Sequence, residues 1–272
     1  MKKISIVAVS VLAMAACSQK ESIQQEKDLR IAISPEIVAT KVTGTSFDSQ
    51  DKIGLDIRKD GESTDFLSNA QLTYNGTAFT GANLIWYKGE VTSTLTAYYP
   101  YSADGRPSSL NVGTDQSAGY AAYDVLGAVT HDATPSEEAV TMKFRHLLSM
   151  ITVTIDNQAT TRTLSSFTVK GLIPDCTLDF TTLTSAASGT AADFTPYKVG
   201  AGYELLVPAQ TAIVTFSATL SDGSTIEETA NSINLKSGSR HNMTVTITDK
   251  DLTVKFTGDI EDWTVEEEFV FE

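Results

Sequence analysis

The chain is poor in the residues that build most catalytic and metal sites. Its 272 residues include three histidines and two cysteines. It contains no HExxH pair, no phosphate-binding glycine loop and no nucleophile elbow. His131, His146 and His241 lie far apart in the sequence, which favours structural roles over metal binding. We therefore expect a protein that is not an enzyme and that holds no metal ion and no cofactor.

Basic residues are also scarce, since 20 Lys and Arg stand against 34 Asp and Glu, for a formal net charge of −14. A nucleic-acid partner needs Lys and Arg to neutralise its phosphates, so we exclude that class. Long helical patterns are missing, whereas Thr, Ser, Val and Ile are abundant, which predicts an all-β fold. A hydrophobic content of 41% is ample for packed cores, and the length favours two domains.

A long hydrophobic run occurs at the N-terminus, where it is typical of a targeting segment. Lys2 and Lys3 precede the apolar stretch Ile4 to Ala16, which is too short to span a bilayer. The small residues before Cys17 resemble the lipobox of bacterial lipoproteins, in which the cysteine carries the lipid, including palmitate. We predict a signal peptide at residues 1–16, lipidation at Cys17 and anchoring in the outer membrane. An ordinary secretory signal with an incidental cysteine is the alternative.

If Cys17 carries lipid, Cys176 has no partner for a disulfide within the chain. No His or acid stands near Cys176 at the spacing of a catalytic motif. We expect it to be a small buried hydrophobic residue.

Alternating apolar residues organise the mature chain into strands. After a polar tether at residues 17–28, Leu29, Ile31 and Ile33 form a first strand that we expect to end at Pro35. The small polar residues around Lys41 predict an exposed loop that a trypsin-like protease could cut. Polar residues near Pro135 suggest a division into domains at residues 29–139 and 140–272, the second opening on one long strand at residues 140–155.

The C-terminal tail, residues 250–272, keeps a strand pattern where chain ends normally become polar. Leu252, Val254 and Phe256 alternate with polar residues, and Ile260 and Trp263 follow. Such a tail must be buried, which leaves two readings open. It is either the last strand of its own sheet or a strand donated to a neighbouring molecule.

A group of aromatic residues also has two readings. Trp86, Tyr98, Tyr99 and Tyr101 could stack on sugar rings at the surface, or they could fill the core of the first domain.

Taken in order, several short segments resemble the fimbrillin-like family of Bacteroidales. Each is weak alone, but their order and spacing are specific. Besides the lipobox, they are residues 40–47 followed by Asp51-Lys52-Ile53-Gly54; Trp86 followed by Ala97-Tyr98-Tyr99-Pro100-Tyr101; Phe144-Arg145-His146-Leu147-Leu148-Ser149; Val207-Pro208-Ala209-Gln210-Thr211; Ser237-Gly238-Ser239-Arg240-His241; and Ile260-Glu261-Asp262-Trp263.

The resemblance implies a subunit of a type V pilus, as stalk, tip or anchor, that supports cell adhesion. It implies two tandem transthyretin-like β-sandwich domains, export as a lipoprotein and a final location in the fimbrium on the cell surface. Its partners would be other pilus subunits and a protease specific for Arg or Lys. The alternative function is a monomeric outer-membrane lipoprotein that binds a glycan or a host ligand.

In that family, cleavage after the first strand opens a groove that the C-terminal strand of another subunit fills. By resemblance, the cut lies between Lys41 and Val42, although the family usually carries Arg where this chain has Lys41. The displaced strand contains Leu29, Ile31 and Ile33. The donor strand contains Leu252, Val254, Phe256, Ile260 and Trp263.

Overall fold

The computed structural model describes residues 28–37, 46–230, 232–256 and 261–262, without the side chains of residues 254–256 and 261–262. Within these ranges the regular structure is β-strand, apart from a short 3-10 turn at Ala121–Tyr123. None of the described residues belongs to a helix that could cross a membrane. The predicted all-β class is confirmed.

The first half of the described chain forms strands that we number in chain order. They are β1 (Arg30–Ile37), β2 (Lys52–Lys59), β3 (Leu67–Tyr74), β4 (Phe79–Ile85), β5 (Ser93–Tyr99), β6 (Ser109–Asn111), β7 (Leu126–Ala133) and β8 (Val140–His146).

The second half continues the numbering. Its strands are β9 (Ser149–Asn157), β10 (Leu164–Leu172), β11 (Asp175–Asp179), β12 (Thr184–Ala187), β13 (Ala192–Phe194), β14 (Tyr197–Val199), β15 (Gly202–Val207), β16 (Gln210–Ala212), β17 (Thr215–Leu220), β18 (Thr225–Thr229), β19 (Ile233–Leu235), β20 (Ser239–Ile247), β21 (Leu252–Phe256) and β22 (Glu261–Asp262).

Seven strands form a closed barrel in the order β1-β4-β3-β2-β5-β7-β8. β1 closes the ring, because it pairs antiparallel with β4 on one side and parallel with β8 on the other. Alternate residues of β2, namely Ile53, Leu55 and Ile57, are fully buried, as expected for a strand with one face on the core. Phe79 and Phe144 complete the centre of this first core.

A second core lies among four smaller sheets. The largest has the order β14-β15-β9-β20-β21, in which β9 and β20 run parallel. The others are β13-β10-β17-β18, β12-β11-β6 and the pair β16-β19. Phe167 of β10 stacks on Tyr203 of β15 with 5.0 Å between ring centroids. Two of the sheets therefore face each other across this core.

The border between the two cores differs from the predicted one at residue 140. β8 pairs with β1 and β7 in the barrel, and its residues Met142 and Phe144 belong to the first core. Leu147 and Leu148 belong to the second core. The predicted single strand at residues 140–155 is therefore two strands in different sheets. The apolar pattern continues through the break because both strands bury large side chains, so periodicity alone could not reveal it.

The segment between β5 and β7 crosses into the second unit, so residues 29–139 are not self-contained. β6 pairs with β11, and Val112 and Tyr120 lie in the second core. The fully buried Gln116 donates a hydrogen bond from Nε2 to Leu206 O at 2.7 Å, and Leu206 N donates to Gln116 Oε1 at 2.9 Å. This side chain takes the place of a strand partner for Leu206 and holds the segment between β5 and β7 on β15 of the second unit.

Candidate functional site: the seat of the first strand

Closure of the barrel depends on β1. Residues Arg30, Ala32 and Ile33 are in register with β4, and residues from Ile33 to Ile37 are in register with β8. The strand thus changes its main neighbour at Ile33. Immediately before it, Leu29 O accepts a hydrogen bond from Trp86 N at 2.9 Å. Each end of β1 is therefore held by backbone pairing to a different strand.

The predicted end of the first strand at Pro35 is wrong, because β1 continues to Ile37. The register with β4 ends at Ile33, so Pro35 pairs with β8 alone. A strand with only one neighbour tolerates a residue that has no N–H.

The three residues predicted for the displaced strand contact one core. Ile31 is 2% exposed and Ile33 is fully buried, while Leu29 is half-buried against the same group of side chains. The alternation read from the sequence is therefore present in the structure. Their assignment as a strand that is displaced in assembly stays a prediction.

Phe47 anchors the chain in the first core two residues after the segment 38–45, and sequence reasoning missed it. It is 7% exposed. Its ring lies 4.8 Å from that of Phe79 and 5.2 Å from that of Phe144, between centroids. It also packs against Tyr74 and Tyr99. A lone aromatic residue after a run of small polar residues was the signal that could have identified it.

Loss of β1 would expose a defined groove. β4 and β8 would each lose a backbone partner, and unpaired N–H and C=O groups carry a free-energy cost unless a new strand satisfies them. The floor of the groove is apolar, since Phe79, Met142 and Phe144 are fully buried there. Such a site fits an extended segment that alternates apolar and polar residues.

The described part of the tail lies in the chain's own second unit. β21 pairs with β20 over five positions, from Leu252 opposite Ile247 to Phe256 opposite Met243. β22 continues along β20 opposite Ser239 and Arg240. Leu252 is 2% exposed and belongs to the second core. This differs from a donor strand that stands wholly outside its own core, and for residues 252–256 it agrees with the reading of a last strand.

Several predicted site residues lie outside the described residues. These are Cys17, Lys41, Val42, Ile260 and Trp263, together with the side chains of Val254 and Phe256.

Cys176 has a structural environment. It is 2% exposed, and burial raises the pKa of its thiol to about 11. A thiol with that pKa is a poor nucleophile at neutral pH.

The histidines lie in three separate places. His131 Nδ1 is 3.2 Å from Thr94 Oγ1, and His146 Nδ1 is 2.6 Å from Asp124 Oδ1. His241 accepts a hydrogen bond at Nε2 from Lys236 N at 3.2 Å. Among the described residues no group of three or more His, Cys, Asp or Glu is arranged to bind a metal ion.

The aromatic residues considered for sugar stacking belong largely to the interior. Trp86 is 4% exposed and Tyr98 is fully buried. Tyr99 contacts Phe47 within the first core, and burial beside Asp51 raises its pKa to about 12. Tyr101 is half-buried. These four residues do not form an exposed platform.

Known proteins resemble this chain in sequence and in fold. A candidate fimbrium tip subunit of Bacteroides ovatus, Fim1C, is 28% identical over 132 residues, which are 44% of this chain and 25% of the relative. The chain thus matches about a quarter of that protein's length.

Solved structures share the fold over most of the chain. A candidate cell adhesion protein from Bacteroides ovatus is 23% identical with a TM-score of 0.73, over 89% of this chain and all of the other. A similar protein from Bacteroides uniformis is 22% identical with a TM-score of 0.69, over 86% and 98%. The tip fimbrial protein Mfa3 of Porphyromonas gingivalis, with a C-terminal truncation, is 9% identical with a TM-score of 0.55, over 87% and 100%.

The fimbrillin-like family model matches residues 40–263. Because this match spans well over half of the sequence, the chain belongs to the fimbrillin-like family.

Proposed function

We propose that this protein is a structural subunit of a type V pilus, exported as a lipoprotein and assembled with other pilus subunits on the cell surface by exchange of β1. The pilus role is supported by the family match and by the fimbrial and cell-adhesion relatives. The observation that carries strand exchange is the position of β1, which is the first described strand and lies between β4 and β8 in the barrel.

The energetics favour replacement of β1 over its simple loss. Ile31 and Ile33 are almost fully buried, and burial of each such side chain contributes about 1.5–3 kcal/mol. Removal of the strand forfeits this and leaves two backbone edges unpaired. A segment of similar pattern from another subunit restores both. Donation from one subunit to the next does not close on itself, so it builds a filament.

Processing would release β1. Residues 38–45 lie in the sequence between Ile37, at the end of β1, and the buried Phe47. Cleavage at Lys41–Val42 would separate β1 from the barrel and leave Phe47 in place. It also frees the chain from the lipid on Cys17, and with it from the outer membrane. A subunit that is not cleaved would remain at the membrane as an anchor.

The C-terminal tail supplies the strand that is donated to the next subunit. Leu252 is committed to its own core, which fastens the tail to its subunit at β21. β22 also pairs with the chain's own β20, so we place the donated residues after β22, from Trp263 to Phe269 and Phe271.

The test compares the Cys17→Ser chain before and after digestion with a Lys-specific protease. Sequencing should find Val42 at the new N-terminus. Sedimentation should show a monomer before cleavage and concentration-dependent association after it, with greater heat resistance because assembly stabilises the native state. The matched control, Cys17→Ser with Lys41→Gln, should stay monomeric.

A synthetic β1 peptide, residues 28–37, provides a second control. It should slow association of the cleaved chain, whereas the peptide carrying Ile33→Asp should not. A cleaved chain that stays monomeric at every concentration would reject strand exchange.

A further inference from the structure

A polar cleft lies between the barrel wall and the second unit, separate from the groove that holds β1. Its volume is about 520 Å³, within the usual range of small-molecule sites. The floor is the outer face of three neighbouring strands, carrying Asp56 and Arg58 on β2, Thr94 and Thr96 on β5, and Val129 on β7. The walls are formed by residues 106–108 and 178–181.

Two ion pairs lie in the lining of this cleft. Arg106 Nη1 lies 2.8 Å from Asp56 Oδ2, and Asp56 Oδ1 accepts a hydrogen bond from Asn69 N at 2.7 Å. The Arg106 guanidinium lies 5.6 Å from the ring centroid of Phe180, in the neighbouring segment of the wall, where Leu178 N donates a hydrogen bond to Ser108 O. On the other side, Arg58 Nε lies 2.8 Å from Asp65 Oδ1. Groups that are already positioned lose little conformational entropy when they bind a ligand.

The charges of the lining exclude strongly ionic ligands. The carboxylates of Asp56, Asp65 and Asp179 oppose the guanidinium groups of Arg58 and Arg106, so no positive surplus remains for a phosphate or carboxylate. The chain as a whole carries a formal charge of −14, which repels anions further. A cation is disfavoured as well, because Asp56 and Asp65 are paired with arginines and Asp179 Oδ1 already accepts hydrogen bonds from Thr181 N and Thr182 N.

The shape excludes an added peptide strand. β2 and β5 pair with strands on both sides, so the floor offers no free backbone edge for β-augmentation. What the cleft offers is a mixture of hydroxyl groups, on Thr94, Thr96 and Thr181, with carboxylate acceptors and guanidinium donors. Val129, Pro107 and Leu178 supply apolar contact between them.

We infer that this cleft binds a neutral saccharide of one or two sugar rings. Sugar hydroxyls both donate and accept hydrogen bonds, which matches the alternation of donors and acceptors in the lining. The C–H faces of a ring match Val129 and Pro107. The site does not depend on assembly through β1, so it can be tested on the monomer.

The test uses the Cys17→Ser chain on an array of neutral mono- and disaccharides, with sialylated and sulfated sugars as the charged set. We expect binding within the neutral set. Titration of the best neutral sugar, followed by NMR saturation transfer, should show about fivefold to tenfold weaker binding for Thr96→Val, which removes one hydrogen-bonding group at constant shape. Arg58→Gln, a change at an exposed residue, should weaken binding likewise.

The control is Thr73→Val, on β3 of the same barrel and half-buried like Thr96, which should bind as the unchanged chain does. Far-ultraviolet circular dichroism should be the same for all variants. The inference is overturned if no neutral sugar binds, if the charged set binds more tightly, or if Thr96→Val and Thr73→Val are indistinguishable.

Discussion

At the scale of single residues, Gly54 shows how closely the barrel is packed. The ring of Tyr98 crosses its backbone, so that a Cβ at this position would lie 2.0 Å from Tyr98 Cε1. Tyr98 cannot move aside easily, because it is fully buried and its hydroxyl donates to Ser102 O at 3.0 Å.

Gly54→Ala should therefore destabilise the protein by about 1–3 kcal/mol, the usual cost of an overpacked core. Chemical denaturation measures the change in the free energy of unfolding. A double variant with Tyr98→Leu supplies the control, since the smaller side chain should relieve part of the clash. Additive effects of the two changes would contradict a direct contact.

A second residue-scale prediction concerns His241, which is 3% exposed. Burial, and then the nearby charge of Lys236, lowers its pKa from 6.5 to about 4. The unfolded chain therefore takes up a proton at a higher pH than the folded one. The stability that comes from the neutral ring is fully present above pH 6.5 and is lost as the pH falls toward 4, by an amount of the order of 2 kcal/mol.

His241→Gln should flatten this dependence between pH 6.5 and 4, measured by urea denaturation at several pH values. Gln can keep an acceptor for Lys236 N but does not titrate. The same slope in both proteins would show that another group governs stability in this range.

At the scale of elements, β21 decides whether the tail belongs to its own subunit. Leu252→Asp would place a carboxylate in the second core, where Leu252 is 2% exposed. An unpaired buried charge and the lost side chain together should cost about 3–5 kcal/mol. The free energy of unfolding of the uncleaved monomer measures this.

Thr253→Asp is the matched control, because Thr253 is the next residue of β21 and is exposed. It should change stability by less than about 0.5 kcal/mol. Equal stability of Leu252→Asp and Thr253→Asp would mean that β21 lies outside its own core in solution.

At the scale of the whole molecule, the two cores should unfold together. Residues 109–125 run from the barrel into the second unit, and Gln116 is hydrogen-bonded to both backbone groups of Leu206. Gln116→Leu would leave two buried backbone groups unpaired and should cost about 2–4 kcal/mol.

Each core contains a reporter of its own unfolding. In a Cys17→Ser and Trp263→Phe background, the fluorescence of Trp86 reports on the first core, and thiol labelling of Cys176 reports on the second. Both should give one denaturation midpoint, and Gln116→Leu should shift both equally. Separate midpoints, or a shift of one alone, would show that the units are independent.

Local patterns of the sequence predicted part of this fold. The alternation of Leu29, Ile31 and Ile33 with polar residues predicted a strand with one buried face, and Ile31 and Ile33 are buried. The resemblance through short segments such as residues 144–149 named the family, which the match over residues 40–263 confirms.

What only the tertiary structure decided is which strands pair over long distances. Period-2 alternation reports that a strand has a buried face, but it does not say which core that face contacts. Hence β8 and β9 read as one strand although Phe144 and Leu147 lie in different cores. Leu252 read as part of a donor because its pattern fits any sheet, whereas β20 is the strand that binds it here. Pro35 suggested a strand end, because proline has no N–H to donate. In the structure β8 is the only strand that pairs with Pro35, so no second strand requires that N–H.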